Sequence, residues 1–515
     1  MKRFLDKYTD WISGSLSGFD RLVLRGTLRM LAVKNGMMEY LFRMQVLLKD
    51  FGEHVEKTSQ AIKAATVSQA QRLGRPVQYL QSAQQSKEEI ALRIAKQEGI
   101  SQGLICVLSC VEPCMSYEIR RDKEQRKLVL QPAVRKCLHY YHYWYDPQFG
   151  FMNGRIATWF PFGIQICLNG REWLSRQMDK AGLGYQRADN CFVSLDQPQR
   201  VQRLMDKQLR INWPAHLQRI ARQLNPAHEH IFQDFPIQYY WSVYQSEWAT
   251  DVMFDSTRSL DAIYPMLTRG AITAFCSADV LRFLGQRVRT GFSGEVCSSY
   301  LQRPEGVRIK HAVQDNSVKC YNKQGSVLRV ETTINNPRQY KVYRPKENSA
   351  TGARAWYPMR KGIADMHRRA AVSQASNQRY LDALASLSTA TPLEELLRPL
   401  CQPTNWHGKR IRGLRPWADA DIALLRTIAN AKWLINGFRN HDLLVSLFPG
   451  DHDNATRKRL AARVTRTIRM LRAHGLIRKS PHTHRYSVNT KAREVLNAVL
   501  QVQTVTTQQL QQIAA

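Results

Sequence analysis

The sequence has no apolar run approaching the roughly 18 residues that a spanning helix requires. It also lacks a long basic amphipathic stretch with a Trp/Phe/Leu face, so neither a membrane span nor a membrane-surface partner is expected. The opening Met1-Lys2-Arg3-Phe4-Leu5-Asp6-Lys7 meets an acid before any apolar region develops, unlike a signal peptide. No Cys-x-x-Cys pair occurs, and the ten cysteines show no framework spacing. Reduced thiols in a cytoplasm are therefore expected, and a zinc site built from Cys106, Cys110, Cys114, Cys137, His139 and His142 is not. A Walker-type glycine loop and a Gly-x-Ser-x-Gly elbow are both missing, which argues against a nucleotide cofactor and serine hydrolysis. Acidic residues are in short supply, with 42 Asp+Glu against 75 Lys+Arg.

The resulting net charge of +33 is spread along all 515 residues and calls for a polyanionic partner, DNA or RNA. The length suggests about three domains. Residues 1–100 read as mostly helical, although Phe19-Asp20-Arg21-Leu22-Val23-Leu24-Arg25-Gly26 alternates in part like a strand able to join a later sheet. From residue 101 to 235 the period changes to two, with strands over 104–108, 127–130, 137–145, 151–159 and 163–168, then a helix over 171–181. A second unit over 236–345 starts with extended Tyr239–Tyr244 and Trp248–Phe254 and ends in strands at 294–301, 306–313, 317–321 and 327–334. Residues 346–415 read as a basic connector with a helical piece near 377–387, residues 416–500 as a compact C-terminal domain, and 501–515 as a tail. The expected fold is multidomain α+β, with antiparallel sheets, helices laid on them, and a C-terminal winged helix-turn-helix.

That last expectation rests on three helices and a hairpin. Asp421–Ile435 and His441–Phe448 precede a third helix beginning near Asn454 and ending at Gly475. Leu460, Val464, Ile468 and Leu471 form the third helix's apolar stripe, while Arg457, Lys458, Arg459, Arg463, Arg466, Arg469 and Arg472 occupy its other surface. Strands at 476–479 and 485–488 flank the loop Ser480-Pro481-His482-Thr483-His484, with Arg478, Lys479 and Arg485 placed to meet a phosphate backbone. The run from Arg463 to Ile477, with Arg485-Tyr486-Ser487-Val488 returning, resembles the MarR-like winged-helix regulators. The resemblance implies that the third helix enters a major groove.

The residues most suggestive of chemistry lie on two neighbouring strands. Lys319, Tyr321 and Lys323 share one face by alternation, as do Arg329, Glu331 and Thr333. Cations, a phenol and a carboxylate on paired strands suit a phosphate together with a metal ion. The pair resembles the Tyr-x-Lys and Arg-x-Glu strands of some rolling-circle replication initiators, which implies DNA nicking by a tyrosine and a metal-bound carboxylate. The matching tyrosine here is Tyr321, with Tyr240 as the alternative nucleophile; Glu331 and Asp251 are the expected ligands of Mg²⁺ or Mn²⁺. The His-hydrophobic-His metal motif of those proteins is not evident, since His139 and His142 are three apart. Glu247, Asp251 and Asp255 recur at steps of four and would line one face of a helix. The aromatic run His139–Tyr145 offers ring faces for unpaired bases.

Taken whole, the chain resembles basic proteins of bacterial mobile elements. The expected function is binding, and metal-dependent endonuclease-like cleavage, of nucleic acid. The alternative is a non-enzymatic regulator or structured-RNA binder, and a homodimer is compatible with either.

Overall fold

A computed structural model describes residues 1–286, 294–304, 306–346, 352–387, 393–430, 433, 437–480, 483–503 and 505–506. The chain is α+β and multidomain. Its centre is an 11-stranded, almost wholly antiparallel sheet. In chain order its strands are β1 (Ile12–Thr27), β2 (Val77–Tyr79), β3 (Gly103–Asp122), β4 (Lys127–Asp146), β5 (Gly150–Ala157) and β6 (Ile164–Asn169). A separate hairpin, β7 (Tyr185–Ala188) and β8 (Cys191–Leu195), comes next. The sheet resumes with β9 (Tyr240–Phe254), β10 (Val296–Arg303), β11 (Gly306–Val313), β12 (Asn316–Lys323) and β13 (Val327–Ile334). Across the sheet the order is β10-β11-β12-β13-β9-β1-β6-β5-β4-β3-β2.

The N-terminal strand β1 therefore lies between β9 and β6, pairing with both. One sheet runs through the ranges 101–235 and 236–345, which do not form two separate units. The break expected near residue 235 follows a change of local composition, but β1 supplies the missing pairing partner for both halves. Its apolar residues Phe19, Leu22 and Leu24 are fully buried and hold it there. Tyr240–Tyr244 and Trp248–Phe254 likewise belong to one strand, in which Tyr244 is an extra residue where the β1–β9 register shifts between Val23 and Leu24, and Tyr239 lies just before it.

The expected connector is also part of this body. Helix Met366–Ala385 lies on β13 and β9, burying Tyr380, Leu381 and Leu384 in the core. Four of its other buried residues are polar: Arg369, Ser373, Ser376 and Asn377. Asn377 Nδ2 donates to the carbonyls of Trp248 and Val330, both at 3.0 Å, and Arg369 donates to the carbonyls of Ile334 and Val243 at 3.0 and 3.2 Å. Hydropathy patterning misses a face buried through hydrogen bonds.

The C-terminal unit has its own apolar core, including Leu424, Phe438, Leu443, Val464, Ile468, Leu471 and Val495. Helices Asp419–Ala429, Asn440–Leu447 and Asn454–Ala473 precede the strands Ile477–Lys479 and Tyr486–Val488, and helix Thr490–Val502 closes it. Phe438, between the first two helices, makes an antiparallel bridge to Tyr486. Arg493 ties this unit to the main body through an ion pair with Asp279 at 2.8 Å. The expected end of the first helix (431–432 and 434–436), Pro481 and His482 of the expected wing, and most of the tail lie outside the described residues.

Candidate functional site

The functional side chains stand on one face of the central sheet. Alternation on β13 puts Arg329, Glu331 and Thr333 on that face, opposite Tyr321, Lys319 and Ser317 of β12. On the other side, Arg329 faces Asp251 and Thr333 faces Glu247 of β9. Glu247 in turn pairs with Arg21 of β1, and the irregularity between Phe19 and Arg21 leaves Asp20 as an extra residue in β1. Helix Gly170–Ala181 is seated against this point. A Cβ on Gly170 would collide with the carbonyl of Phe19, so only glycine lets the helix start approach β1 and deliver Arg171 inward.

Asp20, Glu247 and Glu331 form an acidic triad whose ligand atoms all lie within 4.8 Å of one another. Among the described residues it is the one cluster of three or more His, Cys, Asp or Glu with that geometry. Asp20 and Glu331 are buried, and Glu247 is half-buried. Lys319 is the counter-charge shared by Glu331, at 2.7 Å, and Glu247, at 3.8 Å, while Asp20 pairs with Arg329 at 3.1 Å. Tyr321 donates its hydroxyl to Glu331 Oε2 at 3.0 Å. Burial, followed by the charge of Glu331, pushes the Glu247 carboxyl up to about 6. Burial also raises Asp20, against the pull of Arg329. Glu331 is desolvated too, but Lys319, Arg329 and the Tyr321 hydroxyl outweigh that and hold it below the ordinary carboxylate range. The three carboxylates have two counter-charges close by, Lys319 and, 3.1 Å from Asp20, Arg329, which also serves Asp251. The triad's all-oxygen donor set fits a hard divalent cation such as Mg²⁺ or Mn²⁺.

Asp20 and Glu247 line a cavity of about 550 Å³, together with Arg21, Cys167, Glu172, Arg187, Asp189 and Asn190. The walls are strongly polar, unlike a dedicated apolar ligand pocket. A larger cavity, about 700 Å³, lies beside the N-terminal helix and holds no carboxylate cluster.

Several expected roles are corrected by this arrangement. Asp251 is not available to a metal. It is fully buried, clamped by Arg329 Nε and Nη2 at 2.6 and 2.9 Å, and lies 3.0 Å from Arg171. Burial works to raise its carboxyl, but the two guanidinium charges win and depress it. Glu247, Asp251 and Asp255 lie along or just beyond a strand rather than on a helix, and Asp255 is exposed past its end. Tyr321 is unsuited to nucleophilic attack: its hydroxyl serves Glu331, and burial, then Glu331, pushes its ionisation well above the ordinary range. Tyr240 is seven residues from Glu247, about 23 Å along the strand, with the Arg29 guanidinium 3.4 Å from its ring centroid. Lys323 does not reach the triad and instead pairs with Asp189 at the cavity rim, at 2.9 Å. Glu331 and Lys319 are where the strand spacing placed them.

Asp20 and Asn190 were not singled out by sequence reasoning. Asn190, at the β7–β8 turn, donates to Asp20 at 2.9 Å and accepts from Arg329 through its backbone carbonyl at 3.0 Å. The signal for Asp20 was its place as the lone acid in an apolar and basic strand.

His139 and His142 are both buried, and burial lowers the His142 imidazole to about 4. Tyr141 of the expected stacking strand donates to Glu112 at 2.5 Å, and Tyr140 and Tyr143 are buried. That run is occupied by the core and by internal bonds.

On the C-terminal unit, Arg457, Lys458, Arg459, Arg463, Arg466 and Arg469 are exposed along helix Asn454–Ala473, as are Arg478 and Lys479 on the strand that follows. Arg472 is half-buried over the Trp406 ring at 4.9 Å, and Arg485 is half-buried near the Gly437 carbonyl. Among the described residues, no carboxylate forms an ion pair with any of the seven helix cations.

No protein-family model matches the chain, and neither a curated protein nor a solved structure matches it.

Proposed function

We propose that this is a nucleic-acid-processing protein of a mobile or replicating element, which binds DNA or RNA and cleaves a strand at the Asp20–Glu247–Glu331 triad with a divalent cation. The observation carrying this reading is the triad itself: three carboxylates within 4.8 Å of one another, an ammonium shared by two of them, and a polar cavity open to two of them. A cation held by these oxygens would supply an activated water and offset charge on a phosphate. Lys319 is positioned to hold Glu331 and to meet a phosphate oxygen, and Tyr321 fixes the other carboxylate oxygen. Lys310, directly opposite Lys319 on β11, extends the cationic surface.

The C-terminal unit, in this proposal, is a winged-helix reader. Its helix and strand order, the Phe438–Tyr486 bridge and the carboxylate-poor cationic helix support that role.

Labelled single- and double-stranded DNA and RNA, incubated with Mg²⁺ or Mn²⁺, test the proposal. Cation-dependent product that disappears with a chelator, and in E331Q and E247Q, is expected. Undiminished cleavage by both variants would remove the triad from the reaction. A second reading is favoured by one observation: both Glu331 oxygens already have partners in Lys319 and Tyr321. On that reading the triad is structural and the protein only binds, giving salt-sensitive complexes and no product with any cation.

A further inference from the structure

The strand that carries Glu247 also carries two exposed tyrosines on the same face. Alternation at the start of β9 buries Trp241 and Val243 and turns Tyr240, Ser242 and Tyr244 outward. The register shift opposite Val23 and Leu24 then brings Gln245 and Glu247 to that same outer face. Tyr240 is 37% and Tyr244 47% exposed, unusual for aromatics in the middle of an 11-stranded sheet. Each has a guanidinium on its ring: Arg29 lies 3.4 Å from the Tyr240 centroid and Arg25 4.3 Å from that of Tyr244. Both arginines are exposed, and among the described residues neither forms an ion pair with a carboxylate. Exposed Lys361 belongs to the segment that pairs with this end of β9, where Val243 N–H donates to its carbonyl at 2.8 Å.

Tyr244 lies three residues from Glu247 and Tyr240 seven, or about 10 and 23 Å along the strand. The two rings are thus about 13 Å apart, a spacing that suits every second nucleotide of an extended strand leading away from the triad. Planar rings paired with unneutralised guanidinium groups are the chemistry that unpaired bases and their phosphates recognise. A duplex offers phosphates but keeps its base faces stacked inside, so it gains only the charge contribution here.

From this we infer that the substrate of the triad is an unpaired nucleic-acid strand, laid along β9 with bases stacked at Tyr244 and Tyr240. The inference rests on the proposed function for the triad, but its binding component can be read separately. The full-length protein, in a chelator so that no cation contributes, is titrated against dye-labelled dT and U 12-mers and a DNA duplex of equal length, with fluorescence anisotropy as the readout. The DNA and RNA arms show which sugar the strand carries. Tighter binding of unpaired strands is expected to fall about tenfold for each tyrosine removed in Y240A and Y244A. Y240F and Y244F, which keep the ring, are expected to retain it, and duplex affinity is expected to stay within about twofold. Unchanged single-strand affinity in the Y240A/Y244A double variant would overturn the inference, as would an equal loss for the duplex. A protein that passes this test yet yields no product with any cation keeps the binding track and loses the cleavage reading.

Discussion

Glu247 lies beside two other carboxylates, Asp20 and Glu331, and shares the Lys319 ammonium with Glu331, while Asp20 pairs with Arg329. The Glu247 carboxyl is pushed up to about 6 from 4.5, first by burial and then by Glu331. For a raised carboxyl the linkage has a fixed sign. The stabilisation it contributes is complete below the unfolded value and is lost as pH rises through the folded one, here between about 4.5 and about 6. Above that window the ionised group costs the metal-free protein roughly 2 kcal/mol. A divalent cation needs the ionised form, so its effect has the opposite pH dependence. Addition of Mn²⁺ is expected to raise Tm near neutral pH and to have little effect below pH 5. E247Q imitates the neutral carboxyl and separates the two effects. It is expected to raise Tm of the metal-free protein at neutral pH while abolishing the Mn²⁺ response. A variant that loses stability without metal and still responds to Mn²⁺ would exclude Glu247 from cation binding. Glu331 and Lys319 were legible beforehand because strand alternation alone puts them opposite one another. Asp251 was misread for a physical reason: its neutralising partners, Arg171 and Arg329, are separated by 158 positions in sequence, and charge pairing at that range leaves no local pattern.

At the scale of elements, the cationic helix at 454–473 was legible because its apolar period is strong and local, whereas only 104–108 of the strand 103–122, and the pieces 127–130 and 137–145 of the strand 127–146, stood out. Helix Met366–Ala385 showed only in its second half, as the helical piece near 377–387, although it buries ten of its residues, because Arg369, Ser373, Ser376 and Asn377 take up much of the stripe that Leu or Ile would normally fill. Asn377 shows what replaces hydropathy there. Its amide nitrogen bridges carbonyls on β9 and β13, and its oxygen accepts from Thr332 Oγ1 at 2.6 Å. Removing a buried amide leaves such partners unsatisfied at about 1–3 kcal/mol. N377A is therefore expected to lower the stability of the main body by a few kcal/mol at most, read as a lower denaturant midpoint, with no effect on duplex binding. A connector lying outside the fold would tolerate the change, so an unaltered midpoint would contradict the docking of this helix. The place of β1 in the sheet was visible only in part for a related reason. Phe19–Gly26 alternates like a strand, but nothing in its own composition states that its partners start at residues 164 and 240.

For the molecule as a whole, the excess of 33 positive charges includes two groups of cations on different elements. One part is the cationic helix of the C-terminal unit, and another is the sheet face that holds Arg25, Arg29 and Lys310. The two are joined through Arg493 and Asp279 yet present different chemistry: a cationic helix, and a sheet face with exposed rings. If each surface has its own ligand form, duplex affinity and single-strand affinity should answer to different residues. Removing one cation from a phosphate takes about 0.9 from the slope of log affinity against log salt for duplex DNA. R466A/R469A is therefore expected to flatten the duplex slope by about 2 and weaken duplex binding across sequences, while leaving affinity for a dT 12-mer unchanged. The measurement is a salt titration of both ligands with the wild-type protein and the double variant. A slope that falls equally for both ligands would mean one continuous cationic surface, with the helix and the sheet face gripping the same stretch of strand. An unchanged duplex slope would take helix Asn454–Ala473 out of the interface altogether and leave the sheet face as the main surface that meets nucleic acid.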